Sequence, residues 1–210
     1  KTLNITNIYY ECNAGLEHPI YSSDYDECPI CESIKELRIL DDEDKIYDTK
    51  PHEVIYENKS GGEILVYYDG SIEKPIQVKT YEYELKVKYK GEEYKTGVVG
   101  TFTILPKEVQ IEEIVAHDKI YDGTTDIQLT DGRLVGIEPG DEVGFDLPEI
   151  GTASEKNVGS RYIAIDTIKL TGEKAFNYQL IQPEYGSVSA TIEKRTITIK
   201  NVTAIERKFD

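Results

Sequence analysis

One short string occurs twice in this chain and nearly a third time. Lys45-Ile46-Tyr47-Asp48 recurs as Lys119-Ile120-Tyr121-Asp122, and Arg207-Lys208-Phe209-Asp210 is a degenerate copy. The copies begin 74 and 88 residues apart. A repeat on this scale constrains the fold strongly, because each period must be one supersecondary unit set beside the next. The lead-in repeats as well. Phe102-Thr103-Ile104-Leu105-Pro106-Lys107-Glu108-Val109 runs into the second copy, and Thr191-Ile192-Glu193-Lys194-Arg195-Thr196-Ile197 into the third. A strand closes one module, a Lys-containing link follows, and a new strand opens the next. The expected boundaries are residues 1–36, 37–106, 107–195 and, as the start of a further repeat, 196–210. The chain starts at Lys1 without an initiator Met and closes on a motif copy. It reads as a piece of a longer array.

A repeat could be a helical solenoid, but the periodicity here is two. Tyr81 to Tyr89 reads Tyr-Glu-Tyr-Glu-Leu-Lys-Val-Lys-Tyr, nine residues of strict alternation and so a half-buried strand. Ile64 to Tyr68 is a short apolar run, Lys90-Gly91-Glu92-Glu93 a turn, and Val98 to Leu105 the returning strand. Further strands are expected at 125–129, 143–147, 162–170 and 187–192. Asp131-Gly132, Pro139-Gly140-Asp141, Gly159-Ser160 and Thr171-Gly172-Glu173 supply the turns between them. A weak helical turn is expected at 31–37. The fold class is all-β: tandem small antiparallel β-sandwich modules, Ig-like or alternatively β-grasp-like, behind a short N-terminal cysteine segment. Sixteen Tyr with no Met and no Trp agree with strands.

Charge narrows the partners. Forty acidic against 24 basic residues give a formal charge of −16. Nucleic acid is not expected as a partner, because phosphate binding needs clustered Lys and Arg. An anionic membrane surface is disfavoured for the same reason. No apolar run is long enough to span a bilayer, so no membrane insertion is expected.

Several landmarks together resemble a known family. The order is Lys119-Ile120-Tyr121-Asp122-Gly123-Thr124-Thr125, Gly140-Asp141-Glu142-Val143, Lys156-Asn157-Val158-Gly159-Ser160, Leu170-Thr171-Gly172 and Ala175-Phe176-Asn177-Tyr178-Gln179-Leu180. With the exit at Ala190-Thr191-Ile192-Glu193-Lys194, residues 107–195 resemble the YDG repeat domain of bacterial surface proteins. The preceding module is similar to bacterial Ig-like, MBG-type repeats through Tyr47-Asp48-Thr49-Lys50-Pro51, Val66-Tyr67-Tyr68-Asp69-Gly70 and Gly100-Thr101-Phe102-Thr103-Ile104. It departs at Thr49, where the YDG pattern has Gly. The resemblance implies an extracellular, cell-wall-associated array acting as stalk or adhesin, monomeric within the array, with no catalytic residue.

The motif itself suits a strand end. Tyr121 is expected to bury its ring at the sandwich edge, with its hydroxyl on a backbone partner. Asp122 is expected to accept backbone N–H groups in the turn, and Gly123 to adopt a conformation other residues avoid. Tyr178 suggests a tyrosine corner.

Cys12, Cys28 and Cys31 are the chain's three cysteines, an odd number that cannot pair completely. Asp26-Glu27-Cys28-Pro29-Ile30-Cys31 resembles a zinc-ribbon or rubredoxin knuckle. With Cys12 and His18 it would form a closed, structural Cys3His zinc site. A Cys28–Cys31 disulfide and free thiols remain the other readings. Asp41-Asp42-Glu43-Asp44 lacks the alternation of a calcium loop and reads as a solvated acidic loop. His52 and His117 stand alone. The function expected is a non-catalytic structural or adhesive repeat region. The alternative is a glycan- or host-protein-binding module with the tyrosines of strand 81–89 as its platform; tyrosines buried in the sandwich would count against it.

Overall fold

The alternation at 81–89 is realised as an eleven-residue strand in an all-β architecture; a computed structural model describes residues 9–11, 17–19 and 29–207. The chain divides into two compact units. The first is Lys1–Lys107 with Phe176–Gln179, and the second is Glu108–Ala175 with Leu180–Asp210.

In the first unit, β1 (Tyr9–Glu11) and β2 (Glu17–Pro19) pair antiparallel. The helix is one turn, α1 (Pro29–Glu32), not the expected 31–37. Ser33 ends it by donating its hydroxyl to the Ile30 carbonyl at 2.6 Å, and the chain turns into β3 (Leu37–Asp41). Then come β4 (Lys45–Ile46), β5 (Ile55–Asn58), β6 (Glu63–Tyr68), β7 (Lys79–Tyr89) and β8 (Glu92–Leu105). β3 pairs with β5, and a four-stranded sheet runs β4-β8-β7-β6. Only Lys90 and Gly91 separate β7 from β8. Both have positive φ, the signature of a two-residue type I′ hairpin.

Odd positions of β7 face inward. Tyr83, Leu85 and Val87 are buried with Ile64, Tyr68, Phe102 and Ile104, and Tyr47 and Val54 complete that core. Gly100 sits opposite Tyr83 in the ladder, and the Tyr83 ring lies across it. Tyr178 belongs to this unit, and its ring meets Tyr47 edge-on at 5.5 Å. Tyr178, expected to serve the module at 107–195, thus contributes its ring to the first unit's core. Beside it, the fully buried Asn177 accepts the Val78 N–H at 3.0 Å and donates to Gln77 at 2.9 Å.

The remaining strands are β9 (Lys107–Ala116), β10 (Lys119–Ile120), β11 (Asp126–Val135), β12 (Gly144–Asp146), β13 (Ile150–Ala153), β14 (Gly159–Ala164), β15 (Lys169–Thr171), β16 (Tyr178–Ile181) and β17 (Ser189–Glu193), which build the second unit apart from Lys107, Tyr178 and Gln179. The main sheet order is β10-β17-β14-β13-β11-β9-β16, and β12 pairs with β15 apart from it. Ile127, Leu129, Ala153, Ile163, Ala190 and Ile192 form the core, with Ile114, Tyr121 and Leu147 against it.

Three expectations are corrected here. Asp131-Gly132 does not reverse the chain. Both residues lie inside β11 at positive φ, opposite Glu113, also at positive φ, so they mark a local irregularity in a continuous ladder. The strand expected at 162–170 is two strands, Gly159–Ala164 and Lys169–Thr171. Between them Gln182 imitates a strand partner. Its side chain accepts the Ile168 N–H and donates to the Ile168 carbonyl, each at 2.9 Å. Finally, the pairing is not purely antiparallel: β4 runs parallel to β8, and β10 parallel to β17.

Candidate functional site

Those two parallel pairs are the repeated motif at work. In the first unit Lys45 and Ile46 lie beside Ile104 and Leu105; in the second, Lys119 and Ile120 lie beside Ile192 and Glu193. The next residue continues the pairing. Tyr47 N–H donates to the Leu105 carbonyl at 3.0 Å, and Tyr121 N–H to the Glu193 carbonyl at 2.9 Å. The residue before the motif takes part as well. Asp44 accepts the Thr103 N–H at 2.8 Å, and Asp118 accepts the Thr191 N–H at 2.6 Å. The repeat is therefore five residues long, Asp-Lys-Ile-Tyr-Asp. The added aspartate was readable in both copies, but nothing in a sequence shows that it caps a strand 59 or 73 residues away.

The last residue of the motif organises the turn that follows. Asp122 Oδ1 accepts the Thr124 N–H and hydroxyl, each at 2.9 Å, and the Lys119 ammonium, also at 2.9 Å. The Thr124 N–H first, then Lys119 and the Thr124 hydroxyl, hold its carboxyl down at about 2. Asp48 repeats the turn by accepting the Lys50 N–H at 3.0 Å. Burial works against the Asp48 carboxylate, but the Lys50 N–H and the nearby His52 and Lys50 outweigh it and keep its pKa low. Gly123 carries φ +88°, whereas the first unit has Thr49 at φ +67° in that place. The Tyr121 ring packs against the second core, as expected of a strand-edge tyrosine.

The remaining sequence candidates are dispersed. Of the zinc set, Cys12 and Cys28 lie outside the described residues, as does the side chain of His18; Cys31 sits half-buried in α1. The acidic loop is more than solvated. Asp41 accepts the Glu43 N–H and pairs with Lys45, Asp42 accepts the Tyr83 hydroxyl at 2.7 Å, and Asp44 caps Thr103. His52 Nε2 lies 3.0 Å from Asp48 Oδ1. His117 Nε2 lies 2.8 Å from Thr130 Oγ1. Arg161 gathers the Asn157, Val158 and Ser160 carbonyls at 2.8 to 3.0 Å, which gives the Lys-Asn-Val-Gly-Ser landmark a loop-closing role.

The tyrosines of β7 do not form a platform. Tyr83 is buried and Tyr81 and Tyr89 are half-buried on the same side, while Glu82, Glu84, Lys86 and Lys88 face out. That outer face carries cross-strand ion pairs: Lys86–Glu93 at 3.6 Å, Lys88–Glu63 at 3.7 Å and Lys95–Glu84 at 3.4 Å. An open concavity of about 560 Å³ beside it is lined by Asp69, Glu82, Glu84, Tyr67 and Thr101. In the second unit a shallow concavity of about 450 Å³ is lined by Tyr162, Glu184, Tyr185, Gly186 and Ser187. Tyr162 and Tyr185 are strongly exposed, in contrast to Tyr47, Tyr68, Tyr83 and Tyr178. Among the described residues, no helix is long and apolar enough to cross a membrane.

An all-β chain closed by a duplicated strand-end motif is the class that these elements define. Within it, a YDG domain is found at residues 105–186. The match begins at the end of β8 and stops before β17, so the exit strand of the 107–195 module lies beyond it. No curated protein and no solved structure matches the chain.

Proposed function

We propose that this chain is a non-catalytic stretch of tandem β modules, Ig-like in type, from an extracellular, wall-associated bacterial surface protein, in which the modules serve as stalk or spacer. The observation that carries the reading is the recurrence of Asp-Lys-Ile-Tyr-Asp with equivalent backbone partners in each unit. A fold detail repeated at a 74-residue spacing, with Asp118 bonded like Asp44, is what duplication of a whole module leaves behind. The recurring aspartates are occupied by backbone N–H groups, which favours a structural over a ligand-binding role. Small-angle scattering tests the reading. A spacer gives a radius of gyration clearly above the roughly 17 Å of a compact 210-residue globule; a value at that limit sinks it.

The N-terminal segment supplies a structural zinc site through Cys12, His18, Cys28 and Cys31 in this reading. Metal analysis of the purified chain should find one zinc per molecule, lost in Cys28→Ser. Zinc absent from the wild-type chain, with Cys28 and Cys31 oxidised to each other, would establish the disulfide instead.

A further inference from the structure

The outer face of the second unit differs in kind from that of the first. On β13, β14 and β17 the side chains in register are Thr152 opposite Ala164, Tyr162 opposite Ser189, and Ser160 opposite Thr191. All six are exposed and none is charged, in a chain that is 30% charged. Solvent-facing sheets are ordinarily kept apart from other chains by Lys and Glu, as the ion-paired face of the first unit is. Charge returns at the margins, with Asp126 beside Thr152, Glu193 beyond Thr191 and the Asp118 carboxylate on the Thr191 N–H.

Two tyrosines stand at one end of this face. Tyr162 is 56% exposed and Tyr185 69% exposed, with ring centroids 6.3 Å apart and planes tilted by 59°. Their arrangement is fixed locally. The Ser187 N–H and hydroxyl both donate to the Glu184 carbonyl, at 3.1 and 2.7 Å, and this turn holds Tyr185. Gly186 packs against the Tyr162 ring, where an added Cβ would sit 3.6 Å from it. Leaving two large rings in water is unfavourable unless something covers them.

We propose that this face binds a neutral polysaccharide. The rings would cover the apolar C–H faces of successive sugars. Ser160, Ser189, Thr191 and Thr152 offer hydroxyls that both donate and accept, matching a ligand whose own groups do both. Glu184, the one charged side chain lining the concavity, would accept sugar hydroxyls. Charge decides between ligand classes. A polyanion meets Glu184 and a chain of net charge −16, and a polycation finds too few carboxylates on the face to pair with. This goes beyond the spacer reading, which needs no ligand, and it can fail while the scattering result stands.

Affinity electrophoresis of the full chain provides the test, with native gels containing dextran, mannan, xylan, mixed-linkage β-glucan or hydroxyethyl chitin, and alginate as the anionic control. At least one neutral polymer should retard the chain, and alginate should not. Tyr162→Ala and Tyr185→Ala should each weaken that retardation at least ten-fold, and Ser189→Lys should do so with both rings intact. Should Tyr162→Ala fail to fold, the exposed Tyr185→Ala and Ser189→Lys decide. Lack of retardation by every neutral polymer overturns the proposal, as does retardation that survives Tyr185→Ala and Ser189→Lys. Micromolar self-association abolished by Tyr185→Ala, without polysaccharide binding, reassigns the face to contact between copies and also overturns it.

Discussion

Thr49 and Gly123 occupy the same place in the same turn, one residue after the motif's final aspartate. A β-branched residue at φ +67° is a strained choice, and such conformations cost of order 1–3 kcal/mol. Thr49 recovers part of this by donating its hydroxyl to the Asp48 carbonyl at 2.6 Å. Replacing it with Gly relieves the strain but loosens the unfolded chain. Thr49→Gly should therefore stabilise the protein by about 0.5–1 kcal/mol in urea unfolding. Gly123→Thr should destabilise it by about 1 kcal/mol, since nothing lies within 4 Å of an added Cβ and only the backbone resists. Asp122 carries a pH signature. Its bonds to the Thr124 N–H, Lys119 and the Thr124 hydroxyl hold its folded pKa at about 2, below the ordinary 3.8. Its contribution is then complete above the unfolded value and is lost as pH falls from about 4 towards 2. Acid titration of unfolding for Asp122→Asn should lack that part of the decline; a curve superposing on wild type would refute the assignment.

At the scale of elements, the strand ends and hairpins were more legible than the ladders between them. β6, β7 and the return of β8 follow from alternation and a Gly-containing turn. The full length of β9 does not, because Glu112-Glu113 breaks the period where Glu113 takes a positive φ. Asp131-Gly132 has the composition of a turn and the dihedrals of one, yet the sheet runs through it. Which strands close each unit is invisible to pattern, because parallel pairing of an entry strand with an exit strand leaves no local signal. The aspartate cap belongs to this level. Asp44→Ala and Asp118→Ala should each cost about 1 kcal/mol and speed amide exchange at Thr103 and Thr191 respectively. The Tyr83–Gly100 pair is a second test. A Cβ on Gly100 would come within 2.3 Å of the Tyr83 hydroxyl, so Gly100→Ala must push that ring off Asp42. A loss of about 2 kcal/mol is expected. Burial, with the Asp42 bond and charge added, raises the Tyr83 phenol to about 12, and Gly100→Ala should lower that value in spectrophotometric titration.

For the whole molecule, the charge of −16 leaves every compact state repelling itself. Raising salt from about 0.05 to 0.5 M, which shortens the screening length, should raise the thermal midpoint. A midpoint indifferent to salt would mean that the ion pairs on the first unit's sheet already balance the excess. The all-β class, the repeated motif and a YDG domain, expected at 107–195 and found at 105–186, could be read from the chain itself, whereas the uncharged tyrosine face could not, because its members come from three strands separated in sequence. The parallel closure also fixes an order of events in time. Asp118 waits for Thr191, 73 residues later, and at a synthesis rate of about 5–20 residues per second that is roughly 4–15 s. The second unit is thus made open and can shut only when its final strand arrives. The first unit waits as well, because Asn177 and Tyr178 of its core are made only after most of the second unit's strands, so both units close late in synthesis.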